Sequence, residues 1–302
     1  MNDYFATIKQ IVLSKGSKDA KIKKMIDDLK CTRYEANHFY QLVMHVEKGT
    51  QGERSSERVA RRSFTMGVEI ECFGFSKRVV REALQSKGVL SIETGYDHND
   101  QKKAYKLGHD GSIMGENSCE VVSPILKNLK SLKVVCDTIN EHGARVNRSC
   151  GLHIHLGAES LTLAQWVRVI KNYARIEAII DSFMAVSRRA NNNGYCKSIV
   201  EVADRIENGS VNEFRDIEHA FRLNRYHKVN VMSFRRHKTI EFRQHQGTTD
   251  FNKIKMWAEF LTALVNYSID NLALIEATTI DDLPFLNKAQ KQFFNDRKNA
   301  LN

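Results

Sequence analysis

Glu69 and Glu71 stand two residues apart in "GVEIEC", and His153 and His155 repeat that spacing in "GLHIHLG". Side chains two apart on a strand share a face, so each stretch sets its polar pair opposite an aliphatic one: Val68, Ile70 and Cys72, or Leu152, Ile154 and Leu156. Two neighbouring carboxylates repel unless water or cations screen them, so the first pair suits either a solvated face or a divalent ion in a closed cleft. Two neutral imidazoles can ligate metal or donate to phosphate. In "KTIEFRQHQG", Glu241, Arg243 and His245 alternate with Ile240, Phe242 and Gln244. That is either a surface ion pair or a metal ligand beside a phosphate-binding guanidinium. Asp110 sits in the turn of "HDGSI", and Glu120 opens the run "EVVSPIL". Each stretch alone is ambiguous, and their accumulation decides. One sheet face gathers Glu69, Glu71, His153 and Glu241, with Glu120 beside them, a set suited to Mg²⁺ or Mn²⁺ rather than to a zinc site of Cys and His.

Strands must carry these stretches, and the surrounding pattern supplies them. From Phe64, "FTMGVEIECFGF" predicts a strand and "SKRVVREALQSKG" a capped helix. "VLSIETGY" and "KAYKLGHDGSI" read as strand pieces around a polar loop. "CEVVSPIL" is a strand stopped at Pro124, and "NLKSLKVVCDTINEHG" a helix that ends at Gly143. "GLHIHLG" leads into a long helix over 161–187, with Trp166, Val169, Ile170, Tyr173, Ile176, Ile180 and Phe183 on its core face. A helical stretch follows over 198–223. "HKVNVMSF" and "KTIEFRQHQG" then predict a hairpin across the basic turn "RRHK". Helices over "DFNKIKMWAEFLTALVNYSID" and about 285–300 close the chain. Hairpins among long helices, without βαβ repetition, define an α+β fold.

Residues 1–47 read as a small module of three helices, the third opening at "TRYE", where Thr32 caps and Glu35 completes a capping box. The arrangement is loosely similar to a helix-turn-helix and could contact nucleic acid. Residues 48–63 are a polar, charged linker, and 64–302 form the catalytic-size domain. The formal charge of +10 favours acidic partners such as nucleotides, nucleic acid or acidic peptides. Six cysteines without a C-x-x-C pair fit neither a disulfide framework nor a zinc knuckle. The lack of an apolar run of about 18 residues and of a secretory N-terminal pattern predicts a cytoplasmic protein with no membrane partner.

Taken in order, "GVEIE", "HDGS", "EVVSP", "CGLHIHLG" and "TIEFRQHQGT" resemble the amidoligase family of the carboxylate-amine ligase superfamily, which includes glutamine synthetase and glutamate-cysteine ligase. The likeness covers roughly residues 64–270. It implies a curved, mainly antiparallel sheet with helices on its outer face and an active site on the concave one. It also implies ATP-dependent amide formation, in which a substrate carboxylate is phosphorylated and an amine attacks the acyl phosphate. Carried over by position, Glu69, Glu71, Glu120, His153 and Glu241 are implied ligands for two or more Mg²⁺ ions. His155 matches a nucleotide-phosphate contact and Arg243 the arginine that supports the phosphoryl group or substrate carboxylate. Asp110 and Ser112 fall at the D-x-S position, with a ligand or amine-orienting role. An acyl phosphate must be kept from water, which makes "SRRANNNGYCKS" (187–198) the lid candidate. Arg188 or Arg189 is either its hand on anionic substrate or part of a solvated helix end. Lys228 and Asn230, before "TIEFR", are expected to face the same cleft. Relatives of this fold often assemble into oligomers. The motifs do not choose among small-molecule or peptide carboxylates and amines. Two other classes stay open on the residues alone. One is a metal-dependent hydrolase, because H-x-H also serves hydrolytic centres. The other is an inactive nucleotide- or nucleic-acid-binding protein.

Overall fold

The computed structural model describes residues 2–33, positions 36, 37, 39, 40 and 43, and residues 64–94 and 103–301. The chain divides into two compact units, Met1–Arg61 and Arg62–Asn302.

In the first unit, α1 (Asn2–Leu13) and α2 (Lys18–Leu29) realise two of the three expected helices. Ser17 starts the second by accepting a hydrogen bond from the Ala20 amide. Ile8, Ile11, Val12, Ile22, Met25, Ala36 and Val43 form a separate apolar cluster. Glu35 of the expected capping box and the linker over 48–63 lie outside the described residues.

The second unit is a mixed α+β structure. Its elements are β1 (Met66–Cys72), α3 (Lys77–Ser86), β2 (Ser91–Glu93), β3 (Tyr105–Gly108), β4 (Cys119–Val122), α4 (Lys130–Glu141) and β5 (Gly151–Gly157). There follow α5 (Leu163–Ser182), α6 (Val200–Asn208), α7 (Phe214–Ala220), β6 (Val229–Asn230), α8 (Ser233–His237), β7 (Thr239–Gln246), α9 (Phe251–Asp270) and α10 (Lys288–Leu301). The strands form one seven-stranded sheet in the order β2-β3-β4-β1-β5-β7-β6. Every pairing is antiparallel except the parallel pair β2 and β3.

Alternation gives this sheet two unlike faces. Val68, Ile70, Cys72, Val121, Leu152, Ile154, Leu156, Ile240 and Phe242 lie in one apolar core with Trp166, Val169, Tyr173 and Ile176 of α5 and Trp257, Phe260 and Leu261 of α9. Burying each such large side chain contributes about 1.5–3 kcal/mol. Both helices start at well-made caps: Thr162 and Gln165 form a capping box, and Asp250 accepts from the Asn252 and Lys253 amides. No described helix is long and apolar enough to cross a membrane.

Three expectations change. The expected hairpin exists, but β6 keeps only two residues, and the five-residue α8 replaces the end of the expected strand and the basic turn. The helical stretch over 198–223 splits into α6 and α7, because Gly209 follows the last residue of α6 and ends it. The strand β7 carries one extra residue: Leu152 faces His245 and Ile154 faces Phe242, so three steps on β7 match two on β5. This bulge shifts the alternation beyond Arg243. His245 therefore lies on the apolar side opposite Leu152, 2% exposed, with its ring against Trp257 of α9. Burial, and after it the Arg297 charge, hold this imidazole well below its usual pKa. It does not share a face with Glu241 and Arg243.

Candidate active site

The polar face of the sheet runs across five neighbouring strands. Glu120 on β4 stands directly opposite Glu71 on β1; Glu69 on β1 opposes His153 on β5; His155 on β5 opposes Glu241 on β7; and Glu241 opposes Asn230 on β6. Cross-strand neighbours lie close enough for their side chains to meet, and like charges there are unfavourable. The sheet tolerates Glu71 beside Glu120 while interleaving the other carboxylates with imidazoles.

His153 occupies the middle of this array. Its Nδ1 lies 3.0 Å from Glu69 Oε2 and 3.7 Å from Glu241 Oε1, and its Nε2 lies 3.5 Å from Glu71 Oε1. The ring is buried, yet buried among carboxylates and not in the apolar core. His155 holds Thr239 Oγ1 at 2.9 Å through Nδ1. Its Nε2 faces Glu69 Oε1 at 3.2 Å and Glu241 Oε2 at 3.9 Å, and makes no hydrogen bond of good geometry. Asn230 donates to Glu241 Oε2 at 2.6 Å, and Arg243 donates to Glu241 Oε1. The Nε of Arg243 reaches the carbonyl of Tyr195 at 3.4 Å. Gly67 lets β1 and β5 approach, since a methyl there would lie 3.3 Å from His155 Cβ.

Three overlapping groups can each hold a cation, their ligand atoms all within 4.8 Å: Glu69, His155 and Glu241; Glu69, Glu120 and His153; and Glu71, Asp110 and Glu120. Asp110 enters through a turn in which its Oδ1 accepts the Ser112 amide at 2.7 Å, so Ser112 shapes the turn that presents Asp110. The electrostatics match this crowding. Burial pushes the Glu69 carboxyl up, but the imidazoles of His155 and His153 outweigh it and hold the group well below the usual carboxylate range. Glu241 is raised by burial and lowered more by Arg243 and then His155, with a net fall. Burial lowers His155, while Glu241 and Glu69 raise it more. Glu120 has no such compensation: burial, then Glu69, Glu71, Asp110 and Glu241, drive it well above the ordinary value.

Other expected residues sit elsewhere. The ammonium of Lys228 is fully buried between Glu177 Oε1 at 2.9 Å and Asp181 Oδ1 at 2.7 Å of α5, a triad that engages it away from the carboxylate array. The same acids fasten the segment expected to act as a lid: Asp181 accepts the Ala190 amide at 2.7 Å and Glu177 the Ile199 amide at 2.9 Å. Arg189 bonds the Met184 carbonyl at 2.8 Å. Arg188 belongs to the same segment. It is buried, and its Nη2 donates to the Cys150 carbonyl at 2.6 Å. Thr239 and the backbone of Gly151, whose amide donates to Glu71 Oε2 at 2.5 Å, were not expected at the site. The two glycines that bracket "LHIHL" were the available sequence signal for close backbone approach.

The second unit is thus an α+β domain whose sheet displays carboxylates, imidazoles and one arginine on a single face, with groups that could hold a metal ion. Residues 62–265, well over half of the chain, match the family model described as "Putative amidoligase enzyme". The chain belongs to this amidoligase family, whose name denotes ligase chemistry. No curated protein matches the chain.

Proposed function

We propose that the chain is a carboxylate-amine ligase, dependent on ATP and on Mg²⁺ or Mn²⁺, that makes an amide bond through an acyl phosphate. The observation that carries this reading is the single sheet face on which six cation-compatible groups, joined by Asp110 from a neighbouring turn, meet Arg243, in a chain of the amidoligase family. The donor set fits a hard cation: five carboxylates dominate it, the buried His155 Nε2 makes no hydrogen bond of good geometry, and burial and its acidic neighbours raise Glu120 well above the ordinary carboxylate value. Glu69, Glu120 and His153 would hold one ion, and Glu71, Asp110 and Glu120 another. When bound, such ions neutralise phosphate charge during phosphoryl transfer.

The chain's own residues supply position and fixed charge. Arg243, oriented by Glu241, presents a guanidinium that stays charged at any working pH and stabilises the transferred phosphoryl group. Asn230 fixes the second oxygen of Glu241. His155 lies toward the nucleotide phosphates, its ring angle set by Thr239. Asp110 orients the incoming amine. The carboxylate of the substrate attacks the γ-phosphoryl group, and the amine then displaces phosphate from the acyl carbon, so no side chain acts as nucleophile. The substrates are small-molecule or peptide carboxylates and amines. Glu69→Gln and Glu241→Gln should each abolish carboxylate-dependent release of ADP while the far-UV spectrum stays native. Undiminished turnover in both variants would sink the assignment.

A further inference from the structure

We infer that Gln244 is a positioning residue for Arg243: anchored beneath the sheet, it locks the bulge of β7 that turns the guanidinium toward the carboxylate array. What Arg243 does there rests on the ligase reading above; how it is held does not. On β5 the single residue His153 stands opposite two residues of β7, Arg243 and Gln244. Such a bulge bends its strand, leaves one residue without its ladder partner and re-aims a side chain. Here Arg243 turns to the polar face, where its Nη1 meets Glu241, and Gln244 goes under the sheet and is fully buried. An amide in that core is costly unless its polar atoms are bonded. Gln244 Oε1 accepts the Tyr173 hydroxyl at 2.5 Å, and its Nε2 donates to Asp181 Oδ1 at 2.5 Å. Burial, and after it Glu177 and Asp181, push the Tyr173 hydroxyl well above its usual pKa. It therefore stays a donor and fixes which way the amide points.

These contacts close a ring around the bulge. Asp181 Oδ1 also takes the Lys228 ammonium at 2.7 Å, and the Lys228 carbonyl accepts the backbone amide of Arg243 at 2.8 Å. One peptide bond then leads back to Gln244. Arg243 is held from its far end as well, since its Nε lies 3.4 Å from the Tyr195 carbonyl. That carbonyl belongs to the segment that Asp181 and Glu177 fasten at the Ala190 and Ile199 amides. The backbone of Arg243 and an acceptor of its guanidinium thus both trace back to Asp181, and Gln244 is the link on β7 itself. Apolar packing surrounds the ring: Phe242 stacks on Tyr173 with centroids 5.7 Å apart. A satisfied polar network rigidifies its members, which an apolar side chain of the same volume at position 244 would not do.

The test follows the Nε–H signal of Arg243 in the nitrogen-labelled full chain by NMR, the signal being assigned by its loss in Arg243→Lys. Gln244→Met, which keeps the volume and removes both polar ends, should speed exchange of that proton with water by about tenfold. Tyr173→Phe, a gentler change that removes one hydroxyl, should speed it by a smaller factor and serves where Gln244→Met does not fold. Ile254→Val weakens the same core at a buried site of α9 and should leave the signal as it is. In ADP release from Mg²⁺ and ATP with pooled amino acids, Gln244→Met should lower kcat by as much as about 10²-fold with KM for ATP unchanged. In an Arg243→Lys background the same substitution should lower kcat no further. Exchange equal in wild type, Gln244→Met and Tyr173→Phe, or raised as much by Ile254→Val, would overturn the positioning role, as would an undiminished kcat effect in the Arg243→Lys background. The exchange response without any ADP release counts against the ligase reading alone; ADP release without the exchange response defeats the positioning role alone.

Discussion

Glu120 is the residue whose ionisation reports most directly on the site. Its pKa is raised in the folded chain, so its contribution to stability is present below the ordinary glutamate value of 4.5 and is lost as pH rises through the raised one. On the proposed reading a cation would replace the proton and remove that penalty. The gain in Tm on adding Mg²⁺ or Mn²⁺ should therefore grow with pH, and cation uptake should release a proton on the acidic side of Glu120's titration. Calorimetric titration in buffers of different ionisation enthalpy counts that proton. Glu120→Gln should bind the cation more weakly and release none. The same proton count in wild type and variant would remove Glu120 from the ligand set. The polar face that makes this experiment possible was legible in the sequence at Glu69, Glu71, Glu120, His153 and Glu241, because a period of two assigns faces without further information. Arg188 was named from the sequence as a hand on anionic substrate or part of a solvated helix end, but its burial was not legible, since the single turn Val186–Arg188 before Asn191, Asn192 and Asn193 is too short to show a periodicity.

At the scale of elements, the buried triad of Lys228, Glu177 and Asp181 joins α5, the residue before β6 and the segment over 187–198. Lys228→Met leaves the buried Glu177 and the half-buried Asp181 without their cation and should destabilise the unit by about 3–5 kcal/mol. Denaturant unfolding measures the loss, and hydrogen exchange should show the Ala190 and Ile199 amides opening first. Protection unchanged at both amides would mean that other contacts fix the segment. The sequence suggested Lys228 as a cleft residue because it stands two before Asn230. Strand parity fails there, since Lys228 precedes the short β6 and its long side chain reaches α5. The bulge in β7 misleads in the same way: an inserted residue is invisible in "TIEFRQHQ", and only the pairing with Leu152 reveals it. The starts of the long helices were legible within two residues, where Thr162 and Asp250 cap them, but α5 ends at Ser182 and not at 187.

At the scale of the molecule, two separate apolar clusters mean that core damage stays local. Met25→Ala and Ile70→Ala should each cost about 2–5 kcal/mol in their own unit. Hydrogen exchange read segment by segment should show Met25→Ala loosening α1 and α2 while cation-induced protection of β1 and β5 persists, and Ile70→Ala abolishing that protection. Loss of the protection in both variants would show that the small unit supports the site. The order of the sheet has a further consequence for how the enzyme comes into being. The site draws on Glu69 near the start of the second unit and on Glu241 on β7, which pairs with β5. During synthesis β1 leaves the ribosome long before β7 does, and such distant pairings close late. Until the last strands dock, the nascent chain has neither Arg243 nor Glu241 beside the acids of β1 and β4, so on the proposed reading it could not consume nucleotide. If the proposed ligase activity holds, it would switch on only when the whole sheet is in place, and ATP turnover would then report completed folding.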